Sequence, residues 1–164
     1  MAAGAEGPGA ERAFYESTLP WDPSRPETTI ICCVDGRWFH HFEEFARVHL
    51  RAGTRTDFLA VPGGIEPMTL FDLVPKDFNF FRRRIEALVE SHGTRRIVAI
   101  AHEDCAWYRK GRIGPLRFDM RDRQITDLRR AAGRLREMFP GTAVETYFAR
   151  LGGANQDRVI FETV

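Results

Sequence analysis

Short apolar runs rich in β-branched residues alternate along the chain with longer segments in which apolar residues recur at helical spacing. The short runs predict strands buried on both faces, and the amphipathic segments predict helices that pack against them. This alternation indicates an α/β fold with a mainly parallel central sheet flanked by helices. The predicted strands are 28–34, 56–61, 96–101, 143–149 and 158–161, and the predicted helices are 38–51, 77–92 and 119–139.

The segment before the first strand follows neither pattern. Four prolines interrupt residues 1–27, and the apolar side chains between them belong to no predicted strand or helix. We therefore expect an extended N-terminal arm over 1–27 that packs on a partner subunit, followed by a single α/β domain over 28–164. The apolar side chains of the arm are Phe14, Tyr15, Leu19 and Trp21.

Length, net charge and the distribution of apolar residues limit the number of domains and the kinds of partner. With 164 residues, 43% of them hydrophobic, the chain is long enough for one domain with a real core and too short for two domains. Its net charge of +1 gives no strong field, so neither nucleic acid nor a membrane surface is expected as a partner. No apolar run reaches the length of a membrane span, and the N-terminus lacks the features of a secretory signal. We expect a cytoplasmic protein.

Two of the three cysteines fall where the predicted strands end. Cys33 closes the first strand, and His102 and Cys105 follow the third directly. Because the carboxyl ends of parallel strands share one edge of the sheet, these three side chains are expected to converge there. Two thiolates and an imidazole suit Zn²⁺. A fourth position is then left for water, whose pKa zinc lowers to about 7.

Two charged residues follow the first of these cysteines at every second position. On an extended chain, Asp35 and Arg37 would face the same side as Cys33. Asp35 could bind the metal itself or accept a hydrogen bond from the metal's water. Arg37 could hold Asp35 away from the metal through a paired contact.

The segments CVDGR at 33–37 and HEDC at 102–105 together resemble the paired motifs of the β-carbonic anhydrases, Cys-x-Asp-x-Arg and His-x-x-Cys. The resemblance runs from about residue 28 to the C-terminus. It implies a zinc-binding domain over 28–164 that holds one zinc ion per chain. It also implies a homodimer or homotetramer in which the N-terminal arm packs on a neighbour.

The same resemblance implies the role of each site residue. Cys33, His102 and Cys105 would be the zinc ligands. Asp35 and Arg37 would be catalytic, the aspartate either occupying the fourth zinc position or being drawn off by the arginine.

The segment VPGG at 61–64 departs from the resemblance, because the family usually has a segment like Arg-Asn-Ala-Gly there. The implied reaction is the reversible hydration of carbon dioxide to bicarbonate. Because of this departure, a hydrolase of carbonyl sulfide or carbon disulfide on the same zinc site is an alternative function. A non-catalytic relative with Asp35 fixed on the metal is a second alternative, and a redox protein with a Cys33–Cys105 disulfide is a third.

Overall fold

The computed structural model describes residues 15–52, 55–70, 72–110 and 119–164. Helices and strands alternate along these segments as the hydrophobic pattern predicts. In chain order they are β1 Thr28–Cys33, α1 Gly36–Val48, β2 Thr56–Val61, a short 3₁₀ helix Glu66–Thr69, α2 Pro75–His92, β3 Arg96–His102, α3 Ala106–Lys110, α4 Met120–Met138, β4 Ala143–Gly152 and β5 Arg158–Thr163.

The five strands form one sheet in the order β2-β1-β3-β4-β5. β1 pairs in parallel with both β2 and β3, β3 pairs in parallel with β4, and β5 runs antiparallel at the edge. The predicted α/β fold with a mainly parallel sheet is therefore confirmed. In the β1–β3 register Cys32 lies opposite Ile100, which brings the carboxyl ends of these two strands side by side.

Each face of the sheet carries its own core. On one face the helices α2 and α4 and the 3₁₀ helix cover side chains such as Ile31 and Ile97, with Leu128 from α4 fully buried among them. On the other face α1 covers Ile30, and Phe42 is fully buried there. Burial on both faces explains why β1 and β3 read as continuous apolar runs.

Several element ends differ from the expected ones. The first helix starts at Gly36 rather than residue 38, because the Asp35 side chain accepts a hydrogen bond from the Arg37 N–H and caps it. The second starts at Pro75, so Asp77 lies in its first turn. The 3₁₀ helix and α3 were not predicted, since segments this short carry no readable periodicity.

The described part of the N-terminal arm, residues 15–27, contains neither helix nor strand. Its apolar side chains are largely exposed, with Tyr15 and Leu19 each 77% and Trp21 88% accessible. Phe14 and the rest of the predicted arm lie outside the described residues. Among the helices that the structure describes, none combines the length and the apolar character needed to cross a bilayer.

Two glycines offer a matched test of the backbone geometry. Gly93 ends α2 in the left-handed conformation at φ 71°, whereas Gly133 lies inside α4, and a Cβ at either position meets nothing within 4 Å. Gly93→Ala should therefore lower the free energy of unfolding by about 1–2 kcal/mol through backbone strain alone. Gly133→Ala should raise it by about 1 kcal/mol through helix propensity. Urea unfolding of both variants measures the two shifts, and shifts of the same sign would contradict this account.

Candidate metal centre

Three buried donor atoms meet beyond the carboxyl ends of β1 and β3. Cys33 ends β1, His102 ends β3, and Cys105 lies in the turn before α3; their potential ligand atoms all lie within 4.8 Å of one another. The two sulfur atoms are 3.9 Å apart. Two thiolates about 2.3 Å from a tetrahedral zinc ion would be about 3.8 Å apart. The three side chains are therefore placed to bind a metal ion.

The turn between β3 and α3 directs two of these donors to one point. Asp104 has a φ of 56°, in the left-handed region that aspartate tolerates better than most residues. The Glu103 N–H donates to the Ala149 carbonyl oxygen at 2.8 Å, which ties the start of the turn to β4. The chain can then reverse so that Cys105 faces back toward His102.

The His102 ring is held in one orientation. Its Nδ1 lies 2.7 Å from the Glu103 carbonyl oxygen, which places the ring proton on that nitrogen. Its Nε2 is buried and has no hydrogen-bond partner among the described residues. A buried polar atom without a partner is costly, and a metal ion would supply the missing interaction. The Trp38 ring packs against the imidazole with 4.9 Å between centroids.

The two facing thiols influence each other's ionisation. The hydrogen bond from the Cys105 thiol is the largest of the contacts that lower the pKa of Cys33, and the backbone N–H groups of Asp35 and Gly63 assist. The same contact raises the pKa of Cys105. Without a cation only one of the pair ionises readily, whereas a divalent cation stabilises both thiolates. All three cysteines are free, so the disulfide of the redox alternative is not formed.

Cys32 takes no part in this centre. Its side chain is fully buried in the core under α1, and burial raises its pKa to about 12. The adjacent cysteines face opposite ways because successive side chains on a strand alternate.

Asp35 and Arg37 form a paired contact beside the three donors. Both carboxylate oxygens of Asp35 accept hydrogen bonds from Arg37, from Nε at 3.0 and 3.2 Å and from Nη2 at 2.6 Å. These hydrogen bonds lower the pKa of Asp35 to about 2. The expected extended chain through Arg37 is wrong, because this residue lies in the first turn of α1. The pairing therefore follows from the geometry of the helix start.

The sequence did not single out Asp104 as an anchor for the arginine. Arg37 Nη1 donates to Asp104 Oδ2 at 3.1 Å, so the guanidinium lies between the carboxylates of Asp35 and Asp104. Arg109 contacts the remaining oxygen of Asp104. This anchor depends on the left-handed turn, which residue spacing alone does not reveal.

A pocket of about 270 Å³ opens beside Cys33 and Asp35. Its lining is mainly apolar. The VPGG segment contributes Pro62 to this lining, where the resemblance would place polar groups. The remaining lining residues are Val34, Ala106, Trp107 and Lys110.

The fold and the clustered donors are those of an α/β protein of the β-carbonic anhydrase type, with three side chains that could hold a metal ion. The sequence matches the model of the family described as "Putative carbonic anhydrase" over residues 24–156, well over half of the chain. The chain belongs to this family, as its paired motifs predict. A comparison with curated protein sequences gave no match.

Solved structures show the same fold. The chain is 16% identical to a β-carbonic anhydrase from the protozoan Trichomonas vaginalis, with a TM-score of 0.53 over 90% of this chain and 87% of that one. Similarity to tetrameric β-carbonic anhydrases from the fungus Sordaria macrospora is comparable, at 16% identity and a TM-score of 0.52 over 84% of this chain and 81% of the other. At this identity the likeness concerns the fold alone.

Proposed function

We propose that this protein is a zinc-dependent carbonic anhydrase that reversibly hydrates carbon dioxide to bicarbonate. The observation that carries the proposal is the convergence of Cys33, His102 and Cys105 beside an Asp35 carboxylate that Arg37 holds. In this proposal the three residues ligate one zinc ion per chain. Zinc, when bound, supplies a water molecule whose pKa lies near neutrality.

Asp35 acts as the acceptor that orients this water. Its carboxylate stays ionised because Arg37 donates hydrogen bonds to both of its oxygens, so it can accept a hydrogen bond from the water near neutral pH. Arg37, held from its other side by Asp104, keeps the aspartate from closing on the metal. This arrangement supports an open site over the non-catalytic alternative, in which Asp35 would occupy the fourth position.

The apolar pocket wall suits a small uncharged molecule. Val34, Pro62, Ala106 and Trp107 make most of the lining apolar, beside the charged residues Asp35 and Lys110, and an apolar wall fits carbon dioxide. The sulfur gases of the alternative hydrolase are equally small and uncharged, so direct turnover assays must distinguish the two functions.

We further propose a cytoplasmic location, where Cys33 and Cys105 stay reduced. Cell fractionation tests this location.

The purified protein should contain about one zinc ion per chain, because soft and borderline ligands converge on one point. Cys33→Ser, His102→Ala and Cys105→Ser should each lose most of the metal in elemental analysis. Cys32→Ala is the matched control and should retain zinc, since Cys32 lies in the core. Full zinc retention in the Cys105→Ser variant would remove this residue from the site.

The Asp35–Arg37 pair separates an enzyme from an inert relative. Arg37→Ala should free Asp35 to bind the metal, and Asp35→Asn should remove the anionic acceptor, so each should slow carbon dioxide hydration by about a hundredfold or more. Zinc content should stay normal in both, because neither residue is one of the three ligands. Stopped-flow hydration assays across pH measure the rates, and wild-type activity should rise with pH as the water ionises.

Two outcomes of these assays would overturn parts of the proposal. An Arg37→Ala variant as fast as wild type would refute the role of the pair. A zinc-loaded wild type that hydrates no carbon dioxide at high pH would refute the function. Assays with carbonyl sulfide and carbon disulfide would then distinguish the hydrolase from a non-catalytic protein.

We propose that the chain assembles as a dimer or tetramer with the N-terminal arm packed on a neighbour. The exposed side chains of Tyr15, Leu19 and Trp21 support this, since a single chain leaves them in water. Deleting residues 1–27 should weaken association in light scattering, and the double variant Leu19→Ser/Trp21→Ser should weaken it in the same direction. A wild-type monomer at micromolar concentration would contradict the assembly.

A further inference from the structure

The Trp107 indole lies directly on the backbone of Gly63. A Cβ added at Gly63 would come within 2.3 Å of Trp107 Cδ1 and 2.8 Å of its Nε1, and the φ of 79° at this glycine also disfavours other residues. A side chain at position 63 and the indole cannot occupy the same place. The glycine therefore provides the space in which the indole lies.

A buried carboxylate fixes the same nitrogen-bearing edge of the indole. Trp107 Nε1 donates a hydrogen bond to Glu66 Oε2 at 2.8 Å, and Glu66 is only 2% exposed. The other oxygen of Glu66 lies 3.9 Å from Arg123 Nη2. A buried carboxylate is tolerated only with such partners, so the indole contact is part of what keeps Glu66 inside.

This anchored ring forms one wall of the pocket at the metal centre. Trp107 lines the pocket together with Cys33 and Asp35, and it lies two residues after Cys105. With the nitrogen-bearing edge of its indole packed on the Gly63 backbone and hydrogen-bonded to the Glu66 carboxylate, the ring is held in one position. Any movement of the ring that widened the pocket would break this buried hydrogen bond.

We propose that Trp107, positioned by Gly63 and Glu66, sets the width of the pocket and restricts its occupants to small, linear molecules. The inference rests on the proposed function in taking the pocket as the substrate site. It assigns Trp107 a role in specificity, while Glu66 and Gly63 act through it as positioning residues. The VPGG segment and Trp107 thus act together. Gly63 leaves space for the ring, and the buried Glu66, which follows the segment, holds the ring by a hydrogen bond.

Anion binding to the zinc-loaded protein tests the width of the pocket without relying on turnover. Calorimetry with thiocyanate, a linear ion, and benzoate, a planar aromatic ion, measures the two affinities. Trp107→Ala should bind benzoate about tenfold more tightly than wild type, because a steric barrier is removed, and should bind thiocyanate within about threefold. Phe80→Ala, which removes an exposed aromatic ring outside the pocket lining, is the control and should change neither.

Unchanged benzoate affinity in a folded, zinc-replete Trp107→Ala variant would overturn the inference. If that variant does not fold, Trp107→Leu keeps an apolar side chain of smaller width and should show a gain of about threefold. A Trp107→Leu variant with the benzoate affinity of wild type would also overturn the inference. Size-graded anion binding without carbon dioxide hydration would refute the proposed function and leave the width inference standing.

The anchor has its own spectroscopic test. In ¹⁵N-labelled protein the Trp107 indole N–H signal is the one that disappears in Trp107→Phe. In wild type it should exchange slowly with solvent, because the group is hydrogen-bonded to a buried carboxylate. Glu66→Ala should accelerate that exchange at least about tenfold, whereas Glu66→Gln, which keeps an acceptor oxygen, should change it much less. Equal exchange rates in wild type and Glu66→Ala would show that Glu66 does not position the ring.

Discussion

The parallel pairing of β1 with β3 is the constraint on which the rest of the site depends. Its register places Cys32 opposite Ile100, so the next residue along β1, Cys33, comes beside the end of β3 that carries His102. Because side chains alternate along a strand, a slip of one residue would turn Cys33 toward the core and Cys32 toward the site. The fully buried runs on both faces of the sheet hold the register against such a slip.

The ion pairs beside this edge of the sheet contribute little to the stability of the fold. Arg37 has a side chain that is 59% exposed, and ion pairs with so exposed a partner add little to the free energy of unfolding. Its geometry is nonetheless well defined, with the Asp35 carboxylate on Nε and Nη2 of the guanidinium and the Asp104 carboxylate on Nη1. A well-defined contact that contributes little stability is better explained by the position in which it keeps Asp35.

The sequence predicted the fold well because the buried strands and amphipathic helices dominate its pattern. The rule that parallel strands end at one edge was enough to bring Cys33, His102 and Cys105 together; their roles as ligands remain a prediction. The pairing of Asp35 with Arg37 was expected from an extended chain, but it follows from the helix cap that Asp35 forms. An aspartate just before an amphipathic segment is typical of such a cap and could have indicated it. The contacts of Asp104 and Glu66 were missed because they arise from a left-handed turn and from packing between distant segments.

The VPGG turn links the metal centre to the pocket wall. A Cβ at Gly64 would lie 3.1 Å from the backbone of Cys32 and Cys33, and the φ of 59° at this glycine is already unfavourable for other residues. The close approach of this turn therefore fixes the end of β1 from which Cys33 projects, while the preceding Gly63 lies under Trp107. Gly63 lies against the pocket wall and the adjacent Gly64 lies against the end of β1. A change in this turn that widened the pocket would therefore also disturb the backbone that carries Cys33. The position of Cys33 and the shape of the pocket are consequently coupled, and the segment that departs from the resemblance is constrained by both.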